Sequence, residues 1–218
     1  MKRKMSISLY VLALLITILI FGLGVYLGTI IDKSKVSNIS SEVETISQRL
    51  SNTQLLLLLE DSSSFCPLYK DELDNLDGQT EKIGLQLQFL EDTKGIIDVE
   101  LKKQYFVLEA QAYLLSQKVN EKCGSNDVLL LYFYSNKNCN DCKKQGEYIL
   151  TARENIKSRN FSIKIYSFDG DLGTPIVDAL RNKYSISKYP SIVINENLVE
   201  GFLNTNQIED SIKNSYID

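Results

Sequence analysis

The hydrophobic pattern changes character several times along the chain, and each change marks an element. From Met5 to Ile31 no charged residue occurs, and Leu and Ile dominate. An apolar run of about 27 residues can cross a hydrocarbon layer of roughly 30 Å with some tilt. From Val36 the apolar positions fall at alternating spacings of three and four: Val36, Ile39, Val43, Ile46, Leu50, Thr53 and Leu57. That is the seam of a helix packed on other helices, and it predicts helix from Val36 to Glu60. The same spacing returns at Tyr69, Leu73, Leu76, Thr80, Ile83, Leu87 and Leu90, and again at Ile97, Leu101, Gln104, Leu108, Ala112, Leu115 and Val119. Turn signals at Asp61 to Pro67 and Asp92 to Gly95 separate the three helices. Stripes at this spacing are packing faces and not a cofactor box.

After residue 122 the period shortens. Val128 to Tyr134 (VLLLYFY) has the length and the β-branched and aromatic content of a buried strand. Phe161 to Phe168 (FSIKIYSF) alternates as a second strand. Thr174 to Tyr184 reads as a helix, with Thr174 as N-cap and Pro175 at the first helical position. Ser191 to Ile194 then reads as a strand that opens on Pro190, an unusual start because proline gives no donor to a ladder.

The candidate chemistry lies between the first of these strands and a segment that reads as helix. There Cys139-Asn140-Asp141-Cys142 brings two thiols to one exposed place. A cysteine at a helix N-terminus is favoured as thiolate by unpaired amides and the helix dipole. A second cysteine about one turn further in can attack a mixed disulfide formed by the first. Asp141 disfavours the neighbouring thiolate, whereas Lys143 and Lys144 favour it. Two other readings of the same four residues stand beside this one. Half of a zinc site would need four ligands, but the chain has no histidine, and only Cys66 and Cys123 remain. An inert structural disulfide is the other.

Taken together, the CxxC after the first core strand and the segment YSISKYPSIVIN resemble the thioredoxin superfamily, over about Ser125 to Asp218. The resemblance implies an α/β thioredoxin-like domain in which Cys139 and Cys142 are the catalytic pair. It also implies that Pro190 is a cis residue lying against that pair, with Tyr189 offering backbone to an incoming peptide. Leu198 to Phe202 would be the next strand, after a turn at Glu196-Asn197, and Asn206 to Tyr216 the closing helix. The sequence departs from the family at three places. Asn140-Asp141 is not one of its familiar dipeptides, and no tryptophan precedes the motif. Phe133 stands where thioredoxins proper carry a buried carboxylate, so the usual proton relay to the second cysteine is missing.

Composition narrows the rest. The 218 residues carry a net charge of -4, with no basic patch interleaved with aromatics, which argues against a nucleic-acid partner. Met1-Lys2-Arg3-Lys4 precedes the apolar run. A cleaved signal peptide has the same basic start, but its apolar core is only about 7 to 15 residues and it ends in a small-residue site. The longer run reads as an uncleaved anchor. Lys2, Arg3 and Lys4 keep the N-terminus in the cytoplasm and place everything after Asp32 outside it. Gly22, Gly24 and Gly28 suggest a face for a second membrane helix or for lipid. The sequons at Asn38 and Asn160 carry little weight.

The second and third helices are each about 25 residues, roughly 38 Å. An antiparallel hairpin therefore returns Cys123 to the level of Cys66, where a structural disulfide would form outside the cytosol; two free buried thiols are the alternative. The expected organisation is a cytoplasmic tail 1–4, a membrane helix 5–31, a coiled-coil-like three-helix stalk 32–122 and a thioredoxin-like domain 123–218. The favoured function is a membrane-anchored, extracytoplasmic thiol-disulfide oxidoreductase acting on protein thiols or disulfides, without metal or organic cofactor. The other is a non-catalytic thioredoxin-like interaction or assembly protein on a coiled-coil stalk.

Overall fold

The computed structural model describes residues 7–59, 63–157 and 162–215. The basic start at Lys2 to Lys4, the helix end at Glu60, the sequon at Asn160 and the expected helix end at Tyr216 lie outside the described residues. The chain divides into two compact units, Met1–Glu42 and Val43–Asp218.

Helix α1, Ile7–Leu59, supplies the described part of the first unit and continues into the second. From Thr29 to Lys35 nothing breaks it, because that stretch holds neither proline nor glycine. The large apolar side chains between Tyr10 and Ile31 are exposed. The helix is long and apolar enough to cross a membrane.

The second unit opens with the end of α1 and a helical hairpin. Helix α2, Cys66–Lys94, follows a short 3₁₀ turn at Ser63–Phe65, and α3 is Val99–Cys123. Val43, Ile46, Leu50, Thr53 and Leu57 of α1 are buried, as are all seven positions of the α2 stripe. Arg49 of α1 forms a bidentate pair with Glu72 of α2, donating from Nε to Oε1 at 3.1 Å and from Nη2 to Oε2 at 2.9 Å. Ser47 and Gln54 hydrogen-bond the side chain and carbonyl of Gln111 in α3.

Asp92 to Lys94, read from sequence as turn, is the last turn of α2. The stop comes at Gly95, whose φ of 65° is left-handed and whose N–H reaches the Leu90 carbonyl. Asp98 caps α3 by accepting from the Leu101 N–H at 3.0 Å, so α3 begins after Ile97. Of the stripe expected on α3, Leu101, Leu108, Ala112, Leu115 and Val119 are buried, while Ile97 and Gln104 are exposed. A second buried face of α3 runs through Tyr105, Phe106, Glu109, Tyr113 and Ser116.

That second face covers a four-stranded sheet of order β2-β1-β3-β4, built from β1 (Val128–Tyr134), β2 (Ile163–Asp169), β3 (Ser191–Ile194) and β4 (Asn197–Glu200). β1 runs parallel to β2 and antiparallel to β3, and β3 is antiparallel to β4. Helix α4, Cys142–Lys157, links β1 to β2; α5, Pro175–Lys183, links β2 to β3; α6, Thr205–Asn214, follows β4. Alternate side chains of β1 serve opposite faces. Val128, Leu130 and Tyr132 pack with Ile149, Ala152 and Ile156 of α4 and with Ile208 and Ile212 of α6. On the other face Phe168 packs on Phe133 and on Phe106 of α3, and Tyr166 meets Tyr113 edge-on.

The β3-β4 turn falls at Asn195 (φ 44°) and Glu196 (φ 71°), one residue earlier than read from sequence. β4 ends at Glu200 and not at Phe202, because Gly201 at φ 95° turns the chain out of the sheet. A capping box between Asn204 and Gln207 then starts α6.

Candidate active site

The site forms at the C-terminal end of β1, where three connections meet. The first, Ser135 to Asp141, leaves β1 and carries Cys139. The second follows β2: Gly170 N–H bonds the Tyr134 carbonyl at 2.8 Å. The third enters β3. Antiparallel register sets Phe133 opposite Ser191, so Pro190 arrives beside the end of β1. The Tyr189–Pro190 peptide bond is cis.

Cys139 and Cys142 are joined by a disulfide with Cα atoms 5.4 Å apart. Cys139 is half-buried, while Cys142, the first residue of α4, is only 4% exposed. Thus one sulfur faces an incoming group and the other lies behind it. The Asp141 carbonyl accepts from the Gln145 N–H at 2.8 Å, so the helical bonding pattern begins at Asp141. Cys139 therefore lies in the turn two residues before that point and outside the first helical turn, where the dipole acts most strongly. The Tyr132 hydroxyl donates to the Cys142 carbonyl, and burial pushes that phenol well above its usual range.

The two lysines that follow Cys142 are engaged elsewhere. Lys143 pairs with Asp92 of α2 at 3.2 Å, and Lys144 lies over the rings of Tyr148 and Phe202. Gln145, fully buried, accepts the Leu203 N–H at 2.7 Å and so ties α4 to the segment after β4. Phe133 is buried between strands and aromatic rings, and no carboxylate stands at that position.

The loop before Cys139 is organised by two acids, Asp169 at the end of β2 and Asp171 just after it. Asp171 accepts from the Ser135 hydroxyl at 2.8 Å and from the N–H groups of Asn136 and Lys137 at 2.9 and 3.1 Å. Burial raises the Asp171 carboxyl, but these donors outweigh it and hold the group below its usual range. Asp169 accepts from Asn136 Nδ2 and from the Asp171 N–H. Lys102 of α3, almost fully buried, bridges Asp169 at 3.3 Å and Glu91 at 2.9 Å. Tyr189 packs edge to backbone on Gly170: a Cβ at that position would fall 1.8 Å from the phenol oxygen. Arg181 stacks over its ring at 5.6 Å.

Behind the cysteines lies a cavity of about 720 Å³, lined by Cys139 and Cys142, by α2 and by the edge of β2. A second buried carboxylate faces it. Glu109 of α3 accepts from the Tyr105 hydroxyl, and its other oxygen is buried without a partner. Burial is the main cause that pushes the Glu109 carboxyl up to about 8; the Tyr105 bond works in the opposite direction.

Cys66 and Cys123 are joined by the second disulfide, with Cα atoms 5.5 Å apart, at the base of the hairpin. The four cysteines thus form two separate pairs. Sequence reasoning passed over Lys102, Tyr105 and Glu109 because they lie on a helix whose apolar stripe was already explained. The signal available was the aromatic pair Tyr105-Phe106 with Tyr113, which falls off that stripe. Asp169 and Asp171 had no signal, since only the sheet register brings them to the loop.

No family model and no curated protein matches the sequence. Among solved structures, a thioredoxin-2 described as a component of the malaria parasite protein secretion machinery is similar at 24% identity over 41% of this chain and 84% of its own, with a TM-score of 0.33. Chloroplastic thioredoxin z is similar at 21% identity, over 47% of this chain and 90% of its own, with a TM-score of 0.36. The first thioredoxin domain of mouse protein disulfide-isomerase A4 is similar at 19% identity, over 46% and 71%, with a TM-score of 0.34. The strand order and directions, the cysteine pair between β1 and α4, and the cis-proline ahead of β3 together make the sheet and its helices a thioredoxin-like fold.

Proposed function

We propose that this chain is a membrane-anchored thiol-disulfide oxidoreductase that acts on protein clients outside the cytoplasm. The observation that carries the reading is the asymmetry of the cysteine pair. Cys139 is accessible, Cys142 is buried one step behind it, and both lie in the turn between β1 and α4 at the strand end where Pro190 arrives. In the reducing direction the Cys139 thiolate attacks one sulfur of a client disulfide, and the other client sulfur leaves as thiolate and takes a proton from solvent. Cys142 then gives up its proton and attacks the Cys139 sulfur. The client departs as a dithiol and the enzyme holds the Cys139–Cys142 disulfide, so two electrons have moved from enzyme to client. A partner dithiol restores the pair; run backwards, the same steps oxidise a client. Tyr189 and Pro190 present backbone to the client peptide, and no metal or organic cofactor enters the steps.

Residues 5–31 anchor the chain in lipid, supported by an uncharged run whose large apolar side chains are exposed. The cytoplasmic basic tail at 1–4 sets the orientation, and two disulfides suit an oxidising compartment. Residues 32–122 form a coiled-coil-like stalk closed by the Cys66–Cys123 disulfide, and 123–218 the redox domain. Gly22, Gly24 and Gly28, with open space where a Cβ would stand, offer a face for a second copy or a membrane partner.

The test is trapping. The Cys142→Ser variant of the full chain lacks the resolving thiol and accumulates mixed disulfides with clients through Cys139, while the parent protein reduces insulin. An empty trap together with no insulin reduction would leave the non-catalytic interaction module as the function.

A further inference from the structure

The cavity behind the cysteines continues along the free edge of the sheet. Among the described residues β2 pairs with β1 alone, on one side. Val128 N–H to the Ser162 carbonyl, at 2.9 Å, and Gly170 N–H to the Tyr134 carbonyl bracket the strand. The backbone groups of even-numbered residues therefore turn toward β1, and those of Ile163, Ile165 and Ser167 turn outward. Ser167 and Glu109 both line the cavity. Every residue from Ile163 to Ser167 lines the cavity. An unpaired strand edge is a ready template for another extended chain.

Across the cavity stands α2, which lines it from Asp77 to Asp92. That stretch of helix rises about 22 Å, the span of about six or seven residues of extended chain. α2 is fastened along this length by Lys164 to Asp77, by Arg153 to Glu81 at 2.8 Å, and by Lys143 to Asp92 at 3.2 Å. Two large apolar side chains in the lining stay open to solvent, Leu85 at 57% and Leu150 at 44% exposed. The charges are unequal. Each basic side chain in the lining, Lys102, Lys143, Arg153 and Lys164, already faces a carboxylate. Glu109 has a buried oxygen without a partner among the described residues, and Glu147 stands exposed in the lining.

We propose that this slot is a peptide-docking site in which an extended segment of a partner protein, carrying a basic side chain near its middle, adds to the outer edge of β2 as a fifth strand beneath α2. The peptide's main chain bonds the outward groups of Ile163 and Ile165, its basic side chain meets Glu109, and its apolar side chains cover Leu85 and Leu150. The inference goes beyond thiol exchange and does not depend on it, because strand addition needs no cysteine in the partner.

The test uses the full chain in lipid nanodiscs and fluorescent, cysteine-free heptapeptides of alternating valine and threonine with a central lysine, read by anisotropy. At pH 8.5, where the Glu109 carboxyl is ionised, the lysine peptide binds, and the same peptide with central glutamate binds at least about tenfold more weakly, since a buried carboxylate without a partner accepts a cation and repels an acid. Methylating alternate peptide nitrogens in one register costs about tenfold and in the other register little, because only one set of N–H groups faces β2. Ile165→Pro removes an outward donor that β1 does not use, and it weakens binding by about tenfold. If that variant does not fold, Glu109→Gln gives the second reading: it removes the preference for lysine over glutamate. Absence of binding, binding indifferent to the methylation register, or equal binding of the lysine and glutamate peptides would overturn the proposal. Insulin reduction, measured on the same samples, reports on the redox reading independently.

Discussion

Glu109→Gln should flatten the dependence of stability on pH, and its size follows from where the carboxyl sits. Glu109 is 3% exposed, and burial lifts its carboxyl from 4.5 to about 8. Below pH 4.5 the group is protonated in both the folded and the unfolded chain and contributes no pH dependence. Between 4.5 and about 8 the unfolded chain gives up the proton while the folded chain keeps it, so stability falls as pH rises. Above about 8 both forms are ionised and the fall ends. At 1.36 kcal/mol per unit, the displacement corresponds to about 5 kcal/mol across that window. Glutamine keeps an oxygen toward Tyr105 and places an uncharged amide where the unpartnered oxygen stood. The assay is the melting midpoint of the oxidised full chain in detergent from pH 4.5 to 8.5, for parent and variant. Other titrating groups act equally in both, so the difference between the two curves isolates Glu109. The variant should gain on the parent by about 10 °C or more between the ends of the range. Parallel curves would refute the reasoning, since they would mean that the Glu109 carboxyl ionises in the folded chain as freely as in water.

Three further outcomes follow from single contacts. Cys123→Ser opens a bridge between residues 57 apart, and the loop-closure term puts the loss at about 4 kcal/mol, read as a lower melting midpoint under non-reducing conditions. Lys102→Met leaves Glu91 and Asp169 facing each other without their shared cation, at a cost of about 3–5 kcal/mol. Because Asp169 also holds Asn136, the same variant should speed alkylation of reduced Cys139. Gly170→Ala drives a methyl group into the Tyr189 phenol, costs about 1–3 kcal/mol by melting, and reduces client trapping in the Cys142→Ser background.

The parts of the fold that could be read from sequence were those with one dominant period. Val128 to Tyr134 is a strand because seven consecutive apolar or aromatic residues leave no other economical burial, and the α2 stripe from Tyr69 to Leu90 is buried at every expected position. α3 was read only in part because it is buried on two faces. A three-and-four stripe describes the face toward α2, and Ile97 and Gln104 break even that at the capped end. The face toward the sheet mixes Lys102, Glu109 and Ser116 with aromatics, a composition that reads as solvent-exposed until the sheet is in place. The cysteine pair was legible because its chemistry is local, four consecutive residues between a strand and a helix. The acids that shape its loop were not, because Asp169 and Asp171 reach it only through the parallel register of β1 and β2.

The central claim, that Cys139 and Cys142 form an exchanging couple, is tested most directly by its reduction potential. The full chain is equilibrated in dithiothreitol or glutathione redox buffers, the free thiols are alkylated, and each disulfide is followed by peptide mass. Exchange requires that the Cys139–Cys142 bond be half reduced between about -270 and -120 mV while Cys66–Cys123 stays closed, as structural bonds below about -300 mV do. A Cys139–Cys142 bond that also opens only below about -300 mV would contradict the account.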